Sequence, residues 1–258
     1  MILTVDVGNT NMVLSVYDGD VIKFSSRLAT QASKMEDEYA IDFMDILKLY
    51  SCENEEFEGA IISTVVPQLM STLKCAVKTV FKCRVISVSS GIKTGLNIKI
   101  ENPVSMGSDI VCCAVAVLKR YPMPCIIFDL GTATTVSAID STGAFLGGSI
   151  FPGVNVSMKA LTSSTAQLPH INTSESDVRT IGTNTVDSMR SGIILGTASM
   201  IDGMIDRYRE VLGENATVVV TGGLSSLIVP HCKREVIVDK DLLSNGLLML
   251  YKLNTKKN

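Results

Sequence analysis

Three acids in this sequence stand where a carboxylate could do chemistry. The first is Asp129, in Phe128-Asp129-Leu130-Gly131-Thr132-Ala133-Thr134-Thr135, where the apolar run from Cys125 to Phe128 meets an acid, a glycine and several hydroxyls. A turn of this make-up offers a carboxylate to a cation, backbone N–H groups to anions, and a glycine past which a ligand can reach the main chain. Those parts suit a nucleotide phosphate with its metal. A polar β-turn without a ligand has the same composition. Asp6 stands in the same grammar, in Ile2-Leu3-Thr4-Val5-Asp6-Val7-Gly8-Asn9-Thr10. Asp109, in Gly107-Ser108-Asp109, is the candidate for a separate carboxylate that takes a proton from an acceptor hydroxyl. Its other reading is a first-turn acid that complements a helix dipole.

The elements that would position these acids repeat. Each Asp-x-Gly turn follows an apolar strand and precedes two more strand-like segments, starting near residues 2 and 125. A repeat of this length is a duplicated domain rather than a solenoid. After the first copy, helical spacing runs from Lys34 to Tyr50, a buried strand from Gly59 to Val66, a helix from Pro67 to about Phe81, and a strand over Val85–Val88. A short strand is expected within Leu96–Ile100, and an all-round apolar helix from Ser108 to about Arg120. Tyr121-Pro122-Met123-Pro124 breaks that helix and marks the expected boundary between domains 1–121 and 122–258. In the second half a helix is expected from Val154 to about Leu161, a Thr/Ser-rich mobile loop over Thr162–Asp177, and a long helix from Thr185 to Leu212. Gly192, Gly196, Ala198, Ser199 and Gly203 make that helix rich in small residues. A neighbouring subunit or a tight contact within the chain could pack there. The strand Thr217–Thr221 ends at Gly222-Gly223, where bare backbone could meet an adenosine. Met35, Met44 and Met70 read as core, Asp140 as a plain turn residue, and Lys256-Lys257 as a solvated tail.

Composition excludes several classes. At 258 residues with 46% hydrophobic content, two ordinary domains with real cores are available. A net charge of −3 with dispersed Lys and Arg argues against a nucleic-acid surface. No run approaches the roughly 18 apolar residues of a membrane helix. Asp6 interrupts the first apolar stretch and no basic segment precedes it, so a secretory signal is not expected. Seven scattered cysteines form no Cys-x-x-Cys pair and fit reduced thiols in a cytoplasm. Two histidines make a Ser-His-Asp mechanism a poor fit.

The two Asp-x-Gly turns and Thr221-Gly222-Gly223, in this order, resemble the actin-like ATPase and sugar-kinase superfamily. That likeness implies an α/β fold of duplicated actin-like ATPase (ribonuclease H-like) domains, each a mixed sheet flanked by helices, with the active site in the interdomain cleft. A closer resemblance is carried by Asp6-Val7-Gly8-Asn9-Thr10, Lys93-Thr94-Gly95-Leu96, Asn102-Pro103, Gly107-Ser108-Asp109, Asp129 to Thr135, Gly147 to Gly153, Ile181 to Thr185 and Thr221-Gly222-Gly223. Together, and collinear over nearly the whole chain, these resemble the type III pantothenate kinases.

The resemblance implies ATP-dependent phosphorylation of pantothenate to 4'-phosphopantothenate, the first step towards coenzyme A, in the cytoplasm. It implies that Asp6, Val7, Gly8, Asn9, Thr10, Asn11, Met12 and Val13 line the ATP phosphates, with Asp6 near Mg²⁺ and Thr132 joining them. Asp109 becomes the catalytic proton acceptor, and Asp129 a ligand of a monovalent cation, K⁺ or NH₄⁺. Gly107, Ser108, Asp109, Ile110 and Thr185 would contact pantothenate. A homodimer is implied, with no nucleic-acid or membrane partner. Two positions depart from the family pattern: Ile110 stands where the family usually has Arg, and Ile100 where it usually has Tyr. Isoleucine offers no substitute for a guanidinium's fork of donors. Another small-hydroxyl kinase, or a nucleotide-binding regulatory protein, is the alternative on the same scaffold.

Overall fold

The computed structural model describes residues 1–165, 167–171 and 178–255. In chain order these form β1 (Ile2–Val7), β2 (Asn11–Asp18), β3 (Val21–Ala29), α1 (Glu36–Leu49), β4 (Gly59–Thr64), α2 (Met70–Phe81), β5 (Arg84–Ser87), β6 (Asn97–Ile98) and α3 (Ser108–Arg120). There follow β7 (Cys125–Leu130), β8 (Ala133–Ile139), β9 (Ala144–Pro152), α4 (Val154–Ser164), α5 (Thr185–Leu212), β10 (Thr217–Thr221), α6 (Ser225–Ile228), β11 (Ile237–Val238) and α7 (Leu242–Thr255). The chain divides into two units. The first holds Met1–Gly95, Val104–Ala116 and the segment from Leu242 on; the second holds Leu96–Pro103 and Val117–Asp241. They are therefore not consecutive halves cut at 121/122. The final helix joins the first unit because it lies on β1 and β4, where Tyr251 fills the space that a side chain on Gly59 would need.

The first unit is a five-stranded sheet in the order β3-β2-β1-β4-β5, antiparallel from β3 to β1 and parallel from β1 to β5. Strand alternation sorts its two faces. Leu3, Val5 and Val7 of β1 pack with Tyr39 and Phe43 of α1 and Leu73 and Val77 of α2. Phe43 is fully buried there, and truncating it to Ala would cost about 3–5 kcal/mol. Asp6 and Thr4 alternate to the opposite face, where α3 and α7 lie. On that face Ser15 reaches Ser244 at 3.2 Å, and Gly246 sits against the Cys112 carbonyl.

The second unit repeats the arrangement in a six-stranded sheet, β11-β10-β7-β8-β9-β6. Ile126, Phe128 and Leu130 of β7 pack with Ile194, Ala198 and Ile201 of α5. Asp129 alternates to the other face. Asp140 behaves as a turn residue: its Oδ1 accepts from Thr142 Oγ1 at 2.6 Å and from the N–H groups of Thr142 and Ala144.

Two expectations fail. Met35 and Met44 are 70% and 42% exposed, because α1 buries Tyr39, Ala40, Phe43, Ile46 and Leu47 and both methionines fall off that stripe. Met70 does pack against the first core. Residues 162–164, expected in a loop, complete α4. The rest of that expectation falls partly on residues 166 and 172–177, and the Lys256-Lys257 tail wholly, outside the described residues.

Candidate active site

In the first unit the turn after β1 is closed by Gly8 N–H donating to the Asn11 carbonyl at 3.0 Å. Thr30 steadies it, its hydroxyl donating to the Gly8 carbonyl at 2.8 Å and its N–H to the Thr10 carbonyl at 2.9 Å. Asn9, Thr10 and Asn11 are exposed, and Asp6 is half-buried just behind them. Of the expected phosphate-lining residues 6–13, Val7 and Met12 are fully buried and their side chains belong to the core.

Asp109 lies in the first turn of α3. Its Oδ1 accepts from the Ile110 N–H at 2.9 Å, and a Cβ on Gly107 would collide with that same oxygen. A carboxylate held there is complemented by the positive end of the helix. Gly107 to Ile110 are all half-buried. One turn further on, the Cys112 thiol is pushed well above its usual range, first by complete burial and then by the charges of Asp6 and Asp109. Asp6 and Asp109, 103 residues apart in sequence, thus act on one buried thiol within one unit.

In the second unit Asp129 pairs in register with Thr135 of β8 and Thr221 of β10. One glycine makes room at Asp129 and another at the turn that follows it. Gly222 has φ +93°, and a Cβ there would come within 2.6 Å of Asp129 Oδ1. Gly153 donates its N–H to the Thr132 carbonyl at 3.1 Å, and a Cβ on it would run into the Thr132 and Gly131 carbonyls. The result is a carboxylate and carbonyl oxygens gathered about one turn. Thr132 is exposed at that turn. Thr185 is exposed at the start of α5, behind an Asn184 cap that accepts from the Asp187 N–H at 2.9 Å. Gly182 lies so close to the Asp187–Ser188 backbone that a side chain could not enter. Ile100, the departure before Asn-Pro, packs at 3.6 Å from where a Cβ on Gly147 would lie.

Among the described residues no group of three or more His, Cys, Asp and Glu is arranged to hold a metal ion, and no helix is long and apolar enough to cross a membrane. The residues of this region that sequence reasoning passed over are Ser63 and Cys112. Ser63 carried a signal: with Thr64 it puts hydroxyls into the apolar run from Gly59 to Val66.

The profile of a family described as type III pantothenate kinase matches residues 2–207. The type III pantothenate kinases of Halalkalibacterium halodurans and of a Geobacillus species are 39% and 41% identical to this chain. The alignments cover 98% and 100% of it, and 100% and 99% of theirs. Among solved structures, an activator of 2-hydroxyisocaproyl-CoA dehydratase from Clostridium difficile matches with a TM-score of 0.58 at 14% identity, over 100% of this chain and 98% of that one. An archaeal actin homologue matches with a TM-score of 0.51 at 14% identity, over 98% and 99%. Likeness at such identity carries the fold, which is that of the actin-like ATPases.

Proposed function

We propose that this chain, which belongs to the type III pantothenate kinase family, transfers the γ-phosphoryl group of ATP to the hydroxyl of pantothenate, the entry to coenzyme A synthesis. The observation that carries the reading is the placement of two carboxylates in one unit: Asp6 lies in register with Ser63, and the Ser63 hydroxyl meets Ser108, the residue before Asp109, at 2.9 Å. Phosphoryl transfer needs little covalent help from a protein. It needs positioning, charge neutralisation and a group to take the acceptor's proton.

Asp109 takes that proton, and the start of α3 stabilises its charge before transfer. Asp6, with the turn through Val13, meets the ATP phosphates, as does Thr132. Gly107, Ser108, Ile110 and Thr185 contact pantothenate. Mg²⁺ keeps water and phosphate oxygens as most of its ligands, so one protein carboxylate suits it. Asp6 would hold it, and when bound it neutralises phosphate charge. The oxygens of Asp129, Gly131 and Thr132, crowded where a Cβ on Gly222 or Gly153 would be, suit a monovalent cation such as K⁺ or NH₄⁺.

A homodimer is part of the proposal. Gly192, Gly196 and Gly203 line up on one face of α5, and a Cβ on any of them would meet nothing within 4 Å. That bare face suits the close approach of a second copy. Cytoplasmic residence belongs to the same reading.

The test is ADP release from ATP and Mg²⁺ with and without pantothenate. Release that rises and saturates with pantothenate is expected. Bound ATP with no response to pantothenate, while another small alcohol is phosphorylated, would overturn the substrate assignment.

A further inference from the structure

We infer that Ser63 is a positioning residue for the phosphoryl transfer, fixing the start of α3, and with it Asp109, against the strand that carries Asp6. This rests on the kinase reading above. Ser63 is the in-register partner of Asp6 on the neighbouring parallel strand, and strand alternation turns both towards α3 and α7. Its hydroxyl is fully buried, and a buried hydroxyl must be satisfied by the fold. It donates to Ser108 Oγ at 2.9 Å, and Ser108 in turn donates to the Thr64 carbonyl at 3.1 Å.

The first residue of α3 is thereby stitched to the end of β4 through two hydroxyls. Ser108 and Cys112 are four residues apart, hence on one face of α3. The Cys112 thiol lies on that face, near enough to Ser63 for the hydroxyl to act on it. Three side chains thus share one junction, and Asp109 is the residue next to it. Ser108 is drawn into this junction through its hydroxyl. The Ile110 amide donates to Asp109 Oδ1. Loss of the Ser63 hydroxyl leaves the Ser108 side chain without its donor and lets the first turn of α3 shift. Phosphoryl transfer is sensitive to such shifts, since a misplacement of about 1 Å can reduce a rate about a hundredfold.

The experiment compares wild type, Ser63→Ala, Ser63→Cys and Ser108→Ala in the full chain. Two readouts are used: steady-state kinetics with ATP and pantothenate, and hydrogen exchange of the amides of residues 107–112. Ser63→Ala is expected to lower kcat about tenfold to a hundredfold, with KM for ATP unchanged and faster exchange confined to 107–112. Ser63→Cys, which keeps a weak donor of similar size, restores part of both. If Ser63→Ala does not fold, Ser108→Ala cuts the same link from its half-buried end and must speed the same amides. A kcat within twofold of wild type, or unchanged exchange at 107–112, would overturn the inference. A wild type that shows no pantothenate-dependent turnover would instead sink the kinase reading, and the exchange comparison alone would then decide the link.

Discussion

Gly222 lies against the Asp129 carboxylate so closely that a Cβ would sit 2.6 Å from Asp129 Oδ1, and an equal distance from the Leu130 amide nitrogen. Its φ of +93° adds backbone strain for any other residue. Gly222→Ala is therefore expected to displace Asp129 and to destabilise the fold by about 1–3 kcal/mol. Thermal unfolding measures the second effect. A potassium titration of turnover measures the first, and the half-saturating concentration should rise at least about tenfold, or 1.4 kcal/mol. A variant with wild-type potassium response would remove Asp129 from the cation site.

Asp109→Asn keeps the shape of the α3 start but removes the proposed proton acceptor. Turnover should fall about a hundredfold to ten-thousandfold, while calorimetry with a non-hydrolysable ATP analogue shows binding within a few-fold of wild type. A variant with near-normal rate would leave the reaction without its base.

The thiols should divide by burial. Cys112 and Cys125 are buried, and burial pushes Cys125 up to about 12 and Cys112 well above its usual range, so neither forms a thiolate at neutral pH. Cys75 is exposed. Brief alkylation at pH 8 followed by peptide mass spectrometry should label Cys75 and spare the other two until denaturant is added. Early labelling of Cys112 would mean that the Asp6–Asp109 region opens in solution.

Tyr121 gives a pH signature. Burial, and donation to Asp239 Oδ2 at 2.8 Å, push its phenol up to about 12. A raised pKa binds the proton more tightly in the folded state, so the contribution is whole below about pH 10 and lost as pH climbs to about 12. Discounted for its partial exposure, the loss is about 1–2 kcal/mol. Denaturant midpoints across that window should fall for wild type and less steeply for Tyr121→Phe. Parallel slopes would contradict the assignment.

The open glycine face of α5 gives a test of assembly. Gly196→Leu has room on the monomer and favours helix by about 1 kcal/mol, so folding should survive. Light scattering is expected to show a dimer for wild type and a monomer for the variant. A dimeric variant would place the interface elsewhere.

Much of this was legible because the Asp-x-Gly turns are local features. A strand period, an acid and a glycine identify Asp6 and Asp129 without tertiary information, and the Ser108 start and Arg120 end of α3 follow from its caps and its break. What could not be read is set by packing between distant segments. Nothing local shows that α7 returns to β1 and β4, since its apolar face would suit either sheet. The bare backbone of Thr221-Gly222-Gly223 suggested an adenosine, but nothing local shows that Gly222 also makes room for the chain's own Asp129. Ser63 mattered only once β4 was known to pair in register with β1. Met44 misled because it lies one step round the helix from buried Phe43.

The central claim is that Asp109 accepts a proton from pantothenate while ATP gives up its terminal phosphoryl group. Phosphorus NMR of ATP, Mg²⁺ and pantothenate with the protein follows that transfer directly, in potassium and in sodium, beside Asp109→Asn. The account predicts a new phosphomonoester signal that grows as the γ-phosphate signal decays, in potassium and with wild type only. Decay of ATP to inorganic phosphate with no phosphomonoester, or equal transfer by Asp109→Asn, would contradict it.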